Sequence, residues 1–283
     1  MRRLGSFQHS DNGIVRPQLL IVLLAMLLVA LPDFSAAPGR LLGYGQDVVQ
    51  PARELRLPPH IDHDQLMVGA LASAQTGSSS IDCQQVSCLA LTFDDGPNPE
   101  TTPQVISELE QAQIHATFFL VGSRIAGNED LLRRMYADGD QIGNHSWTHP
   151  DMATLSADQV QQQIQLTQAA IVNAGVPPPT VFRPPYGDVN QTMENTIHLS
   201  ILMWNEDPKD WAASTPQQVI QAVEASAQPG GIIDMHDIYH VTADALPQIL
   251  TNLTARGYHF VTVDQLLNLS PSSRGLYYGY APK

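Results

Sequence analysis

From residue 81 onward the chain repeats one pattern: a short apolar run, then a longer segment whose apolar residues recur at helical spacing, at intervals of about 25 to 30 residues. The short runs predict strands at 88–93, 116–121, 141–145, 180–183, 200–204, 231–236 and 259–263. The segments between them predict helices at 103–111, 129–137, 157–174, 191–199, 216–227 and 244–256. Local punctuation agrees with these boundaries. Ser156, with Gln159 three residues on, suits a helix start, Gly139 and Gly175 suit helix stops, and Thr215-Pro216 places proline in a first turn. Strand-helix alternation of this kind predicts an α/β fold, a closed or nearly closed (β/α) barrel with its chemistry in loops at the C-terminal strand ends.

Upstream the texture differs. Residues 19–31 are unbroken apolar, preceded by Arg2, Arg3 and Arg16 and followed by Pro32 and the small residues Ser35, Ala36 and Ala37. That layout predicts a signal peptide at 1–37, or an N-terminal anchor if it is not cleaved, although the run is short of the roughly 20 residues that span a bilayer. Residues 38–80, rich in Pro, Gly, Ser, Ala and Gln, read as a flexible linker. The folded domain is then expected at 81–268 and a Tyr-rich tail at 269–283.

Composition narrows the partners. Fourteen Lys+Arg against 28 Asp+Glu give a net charge of −14, so no basic face is available for nucleic acid or for an anionic membrane surface. Membrane contact is expected only through an uncleaved N-terminal segment. Cys83 and Cys88 are the only cysteines, and an exported chain meets an oxidising compartment, so a disulfide is predicted.

Polar, ligand-type residues gather just after the predicted strands: Asp94 and Asp95 after the first, His145 and His149 after the third, Arg183 to Tyr186 after the fourth, Asp207, Asp210 and Trp211 after the fifth, and His236 and Asp237 after the sixth. Singly these are weak signals, since His-x3-His is usually two surface histidines and paired aspartates are usually turn residues. In order, however, the chain carries Thr92-Phe93-Asp94-Asp95-Gly96-Pro97, His145-Ser146-Trp147-Thr148-His149-Pro150, Arg183-Pro184-Pro185-Tyr186, Asp207-Pro208-Lys209-Asp210-Trp211 and Ile233-Asp234-Met235-His236. This series resembles the polysaccharide deacetylase family, the NodB-homology or carbohydrate esterase 4 group, over about residues 83 to 268. The family fold, a distorted (β/α) barrel of about seven strands, matches the pattern above.

The resemblance implies a divalent metal held by Asp95, His145 and His149, with zinc preferred and cobalt, nickel or manganese also suited to one carboxylate and two imidazoles. It implies Asp94 as the base toward water, His236 as the acid toward the leaving amine, and the backbone N–H of Tyr186 as a donor to the oxyanion. Arg183 would hold Asp94 ionised, and Asp210 would keep His236 protonated. Trp211 and Ile233 would form an apolar slot for the acetyl methyl. Asp234 departs from the family, which is usually aliphatic there. Strand alternation points it to the side of His236, and we expect it to face water at an edge, the alternatives being a raised His236 pKa or an altered substrate fit.

The function implied is an exported, metal-dependent de-N-acetylase of N-acetylated glycan, on N-acetylglucosamine units of peptidoglycan or chitin oligomers, in the cell envelope or secreted. An acetylxylan esterase would use the same motifs on an ester. A catalytically silent glycan-binding protein of the wall would need neither a base nor an acid, and both are present.

Overall fold

The structure, a computed structural model, describes residues 81–279. The predicted signal segment and the linker lie outside the described residues. Among the described residues no helix is long and apolar enough to cross a membrane.

The strands are β1 (Ser87–Asp94), β2 (Thr117–Leu120), β3 (Gln141–Asn144), β4 (Val181–Phe182), β5 (Ser200–Leu202), β6 (Gly231–His236), β7 (Tyr258–Phe260) and β8 (Gly275–Tyr277). The helices are α1 (Thr102–Ala112), α2 (Glu129–Asp138), α3 (Ala157–Asn173), α4 (Gln191–Thr196), α5 (Pro216–Ser226), α6 (His240–Ala255) and α7 (Val263–Leu267). All strand pairs are parallel, in the order β6-β1-β2-β3-β4-β5-β8. β7 pairs with the opening half of β1, Ser87–Leu89, and β2 with its closing half, Thr92–Asp94. The sheet curls until a single bridge between Glu206 and Ile233 joins the segment after β5 to β6. The result is the distorted (β/α) barrel predicted from the alternation.

Alternating strand residues serve two cores. Leu89, Leu91 and Phe93 of β1 pack outward with Ile233 and Met235 of β6 against Ile106, Leu109, Val219 and Leu246 of the surrounding helices. Cys88, Ala90, Phe119, Leu202 and Ile232 point inward and fill the lower part of the barrel. Strands buried on both faces account for the near-continuous apolar runs that marked them in the sequence.

The helix signals act as expected. Ser156 accepts from the backbone of Gln159, whose side chain returns the bond, and Gly139 takes a left-handed φ of 100° at the end of α2. Several boundaries differ from prediction. α6 begins at His240 rather than 244, its first turn held by the buried Thr242, Ala243 and Leu246. The seventh strand ends at Phe260, because Thr262 forms a capping box with Gln265 and starts α7. The sheet also continues past the expected domain end at 268. Gly275–Tyr277, within the predicted tail, pairs with β5. Cys83 and Cys88 form a disulfide that pins the segment entering β1.

Candidate active site

β1 ends at Asp94, β3 at Asn144 and β6 at His236, so His145 follows directly on a strand and the predicted polar residues meet at one rim. Sharp turns aim them. Asp95, Ser146, His149 and Tyr186 all have positive φ, at 74°, 68°, 57° and 62°. Asp95 is followed by Gly96, where a Cβ would stand 2.4 Å from a carboxylate oxygen of Asp237, so only glycine fits.

Asp95, His145 and His149 each offer one ligand atom, and these atoms lie within 4.8 Å of one another. His149 Nε2 is 3.2 Å and His145 Nε2 3.6 Å from Asp95 Oδ1. Such separations suit neighbouring corners around an ion with bonds of about 2.0–2.2 Å. Asp95 Oδ1 is buried and accepts no hydrogen bond within the chain, an orphaned acceptor that a cation would satisfy. His145 Nδ1 lies 2.8 Å from the carbonyl of Arg183, so it is Nδ1–H that donates and Nε2 keeps its lone pair. Burial pushes His145 down to about 3, against the attraction of Asp95, and lowers His149 as well, so both are neutral imidazoles, the form that binds metal. The three residues therefore fit a divalent ion.

Beside this triad Arg183 is fully buried under the ring of Phe119, its guanidinium carbon 4.2 Å from the centroid. One nitrogen, Nη1, donates to Thr92 Oγ1 at 2.7 Å, Asp94 Oδ1 at 2.8 Å and Asp234 Oδ1 at 2.9 Å. Nε and Nη2 donate to the carbonyls of Leu202 and Met203. Burial raises Asp94 to about 6 in spite of Arg183 and His236, which pull the other way. Its second oxygen, Oδ2, stands 3.6 Å from His145 Nε2.

Across the rim, His236 Nδ1 meets Asp210 Oδ1 at 2.9 Å, while Asp210 Oδ2 accepts from the backbone N–H of His236 and the hydroxyl of Thr242. Burial opposes charge on His236, but the hydrogen bond and charge of Asp210, then Asp94 and Asp234, outweigh it and raise His236 to about 10. Asp210 thus holds an imidazolium at the mouth. Tyr186 and Trp211 stand on the rim, 66% and 57% exposed, and Tyr186 packs edge-on to His149 at 4.7 Å between centroids.

Two expectations are corrected. Ile233 does not line the mouth, because it is fully buried in the helix-facing core, on the face of β6 opposite His236. Asp234 does not face water at an edge; it is buried within the barrel on Arg183, and burial, then Asp94, raises it well above the usual carboxylate range. Residues to which the sequence assigned no role also contribute. Thr92 supports Arg183, and the buried Asp237 accepts from Thr102 and packs under the Asp95–Gly96 turn. Position in its motif, two residues before Asp94, was the only signal for Thr92, whereas Asp237 stood among the polar residues after the sixth strand.

Comparison with known proteins agrees with this geometry. The polysaccharide deacetylase family matches residues 82–199. A peptidoglycan-N-acetylmuramic acid deacetylase of Bacillus subtilis is 42% identical over 178 residues, covering 63% of this chain and 38% of that protein. This chain therefore spans well under half the length of that relative. A peptidoglycan-N-acetylglucosamine deacetylase of Bacillus cereus is 36% identical over 187 residues, covering 63% of this chain and 87% of that protein. Among solved structures, a family 4 acetyl xylan esterase from Clostridium thermocellum in complex with cobalt superposes with a TM-score of 0.64 at 37% identity, over 68% of this chain and 98% of that one. The match to the family over residues 82–199, the shared barrel and the 87% coverage of the Bacillus cereus relative lead to one conclusion: this chain belongs to the polysaccharide deacetylase family.

Proposed function

We propose that this protein is a metal-dependent polysaccharide de-N-acetylase acting outside the cytoplasm on N-acetylglucosamine units of peptidoglycan or chitin oligomers. The observation that carries the reading is the pairing of a carboxylate, Asp94, with an imidazolium, His236, on the rim that also bears the Asp95, His145 and His149 triad. A glycan-binding surface needs no such proton donor and acceptor. The peptidoglycan deacetylases among the relatives support the substrate class, and the predicted segments 1–37 and 38–80 fit export and a linker to the domain.

Asp95, His145 and His149 would hold the ion, zinc in preference to cobalt, and when bound it would supply Lewis acidity toward the acetyl carbonyl and water. Asp94, oriented by Arg183, takes the proton of the attacking water. The Tyr186 backbone N–H is assigned to the oxygen that gains charge as the carbonyl becomes tetrahedral. His236, charged through Asp210, delivers its proton to the nitrogen, since an amine leaves only when protonated. Trp211 offers its exposed ring to the acyl group or sugar at the rim.

The test is acetate release from N-acetylated chitooligosaccharides and from peptidoglycan fragments, with loss of one acetyl mass per event, using the full chain loaded with zinc or cobalt. Release that disappears in Asp94→Asn supports the reading. Release from acetylated xylan alone would favour the ester reading, for which the 37% identical acetyl xylan esterase is the observation. No release from any of these, with metal bound, would overturn deacetylation.

A further inference from the structure

Asp234 sits one step deeper than the catalytic rim. On β6 the side chains of Ile232, Asp234 and His236 share the inward face, so Asp234 lies roughly 6.6 Å below His236 along the strand. Beneath it, Ile232 belongs to the sealed inner core with Ala90, Phe119 and Leu202. Its Oδ1 is held by Arg183 Nη1 at 2.9 Å, the nitrogen that also holds Asp94. Oδ2 accepts no hydrogen bond within the chain, yet it is not among the sealed, unpartnered polar atoms, and the side chain keeps 8% of its surface accessible. The core closes the space below and Arg183 the side, so the neighbour left to that edge is the inward face that β6 shares with His236.

A glycan chain is too broad to enter a barrel of this size, so the part of the substrate that reaches below the base and the acid is the acyl substituent. For an acetyl group the deepest atom is a methyl. A methyl seated over Asp234 Oδ2 would strip water from a carboxyl oxygen and return no hydrogen bond, an unfavourable exchange for a buried polar group. An acyl group with a hydroxyl on the carbon beyond the carbonyl would donate to that oxygen instead.

We infer that Asp234 is a specificity-determining residue that makes the floor of the acyl pocket polar, so that the enzyme accepts a small hydroxylated acyl group, hydroxyacetyl, on the glycan nitrogen at least as well as acetyl. The inference rests on the de-N-acylase reading above. The reaction is unchanged in its balance. Water adds to the acyl carbon, the C–N bond breaks, hydroxyacetate leaves as the acid, and the amine keeps the proton delivered by His236.

The test compares kcat/KM of the full, metal-loaded chain on matched N-acetyl and N-hydroxyacetyl chitooligosaccharides, for the wild type, Asp234→Leu and Asp234→Asn. The expected ratio of hydroxyacetyl to acetyl turnover is one or more in the wild type. It falls roughly 3- to 10-fold in Asp234→Leu, the size of one hydrogen bond to a buried carboxyl, and by less in Asp234→Asn, which keeps a polar partner. Equal losses on both substrates, with the ratio unchanged in both variants, would reduce Asp234 to a support for Arg183 and overturn the inference. So would a wild type that prefers acetyl more than tenfold, a result that needs no variant to fold. In both cases acetate release persists and de-N-acylation stands. Release of neither acid would instead remove the underlying reading, and the inference with it.

Discussion

The two sides of the rim treat the same side chain in opposite ways. At the triad, His145 and His149 are lowered by burial and stay neutral even beside Asp95. Across the mouth, His236 is also largely buried but is raised to about 10. Burial pushes all three imidazoles toward neutrality, and at His236 the carboxylate on Nδ1 outweighs it. His145 Nδ1 donates to a neutral carbonyl, that of Arg183, whereas His236 Nδ1 meets the carboxylate of Asp210 at 2.9 Å. One arrangement frees a lone pair for a cation and the other stores a proton, so a single rim can hold an ion and an acid side by side.

The sharpest way to break this contrast is to remove one side at a time. His149→Ala should abolish metal binding and activity together, read by metal content and acetate release. His236→Phe should leave metal content unchanged while activity falls about 10²- to 10⁴-fold, the usual contribution of a positioned acid or base. Loss of metal in His236→Phe would show that the two sides are not independent.

Next in size, Asp210→Asn removes the group that charges His236. Its kcat/KM near neutral pH should fall roughly 10- to 100-fold, as for loss of a charged hydrogen bond. The high-pH limb of the activity profile, set in the wild type by His236 near 10, should move toward the ordinary histidine range. A limb that stays in place would assign it to another group.

The same pair has a signature in stability. Because the folded pKa of His236 lies above the ordinary histidine value of 6.5, its contribution is complete below about 6.5 and is lost as pH rises through about 10. The thermal midpoint of the wild type should therefore decline across that window more than that of Asp210→Asn. Parallel curves for the two proteins would mean that the ion pair adds nothing to folding.

The smallest expected effect on chemistry lies far from the rim. Reducing Cys83–Cys88 opens a short loop, with a loss of about 2 kcal/mol on the chain-entropy account and a midpoint lower by roughly 4–8 °C for a domain of this size. The ratio of activities between the two sides of the rim, read through the pH profile, should not move.

Much of this was legible in the chain. The strand runs are parallel strands buried on both faces, and Ser156, Gly139 and Thr215 end or begin helices by local hydrogen bonding that needs no tertiary contact. Even the correction at Ile233 was within reach, since strand alternation places it on the opposite side from Asp234 and His236. What alternation does not carry is what each face meets. Asp234 was on the correct side, but its partner, Arg183, comes from another strand end 51 residues away in sequence.

The sequence by itself thus determined the order of elements, the barrel class and the residues able to ligate, take or give a proton, because periodicity, caps and donor chemistry are local properties. Only the tertiary structure decided that Glu206 meets Ile233 to close the curl, that Gly275–Tyr277 adds a strand, and that one guanidinium serves both Asp94 and Asp234. Those depend on which distant segments share a neighbourhood, and it is that neighbourhood that leaves His145 neutral and His236 charged.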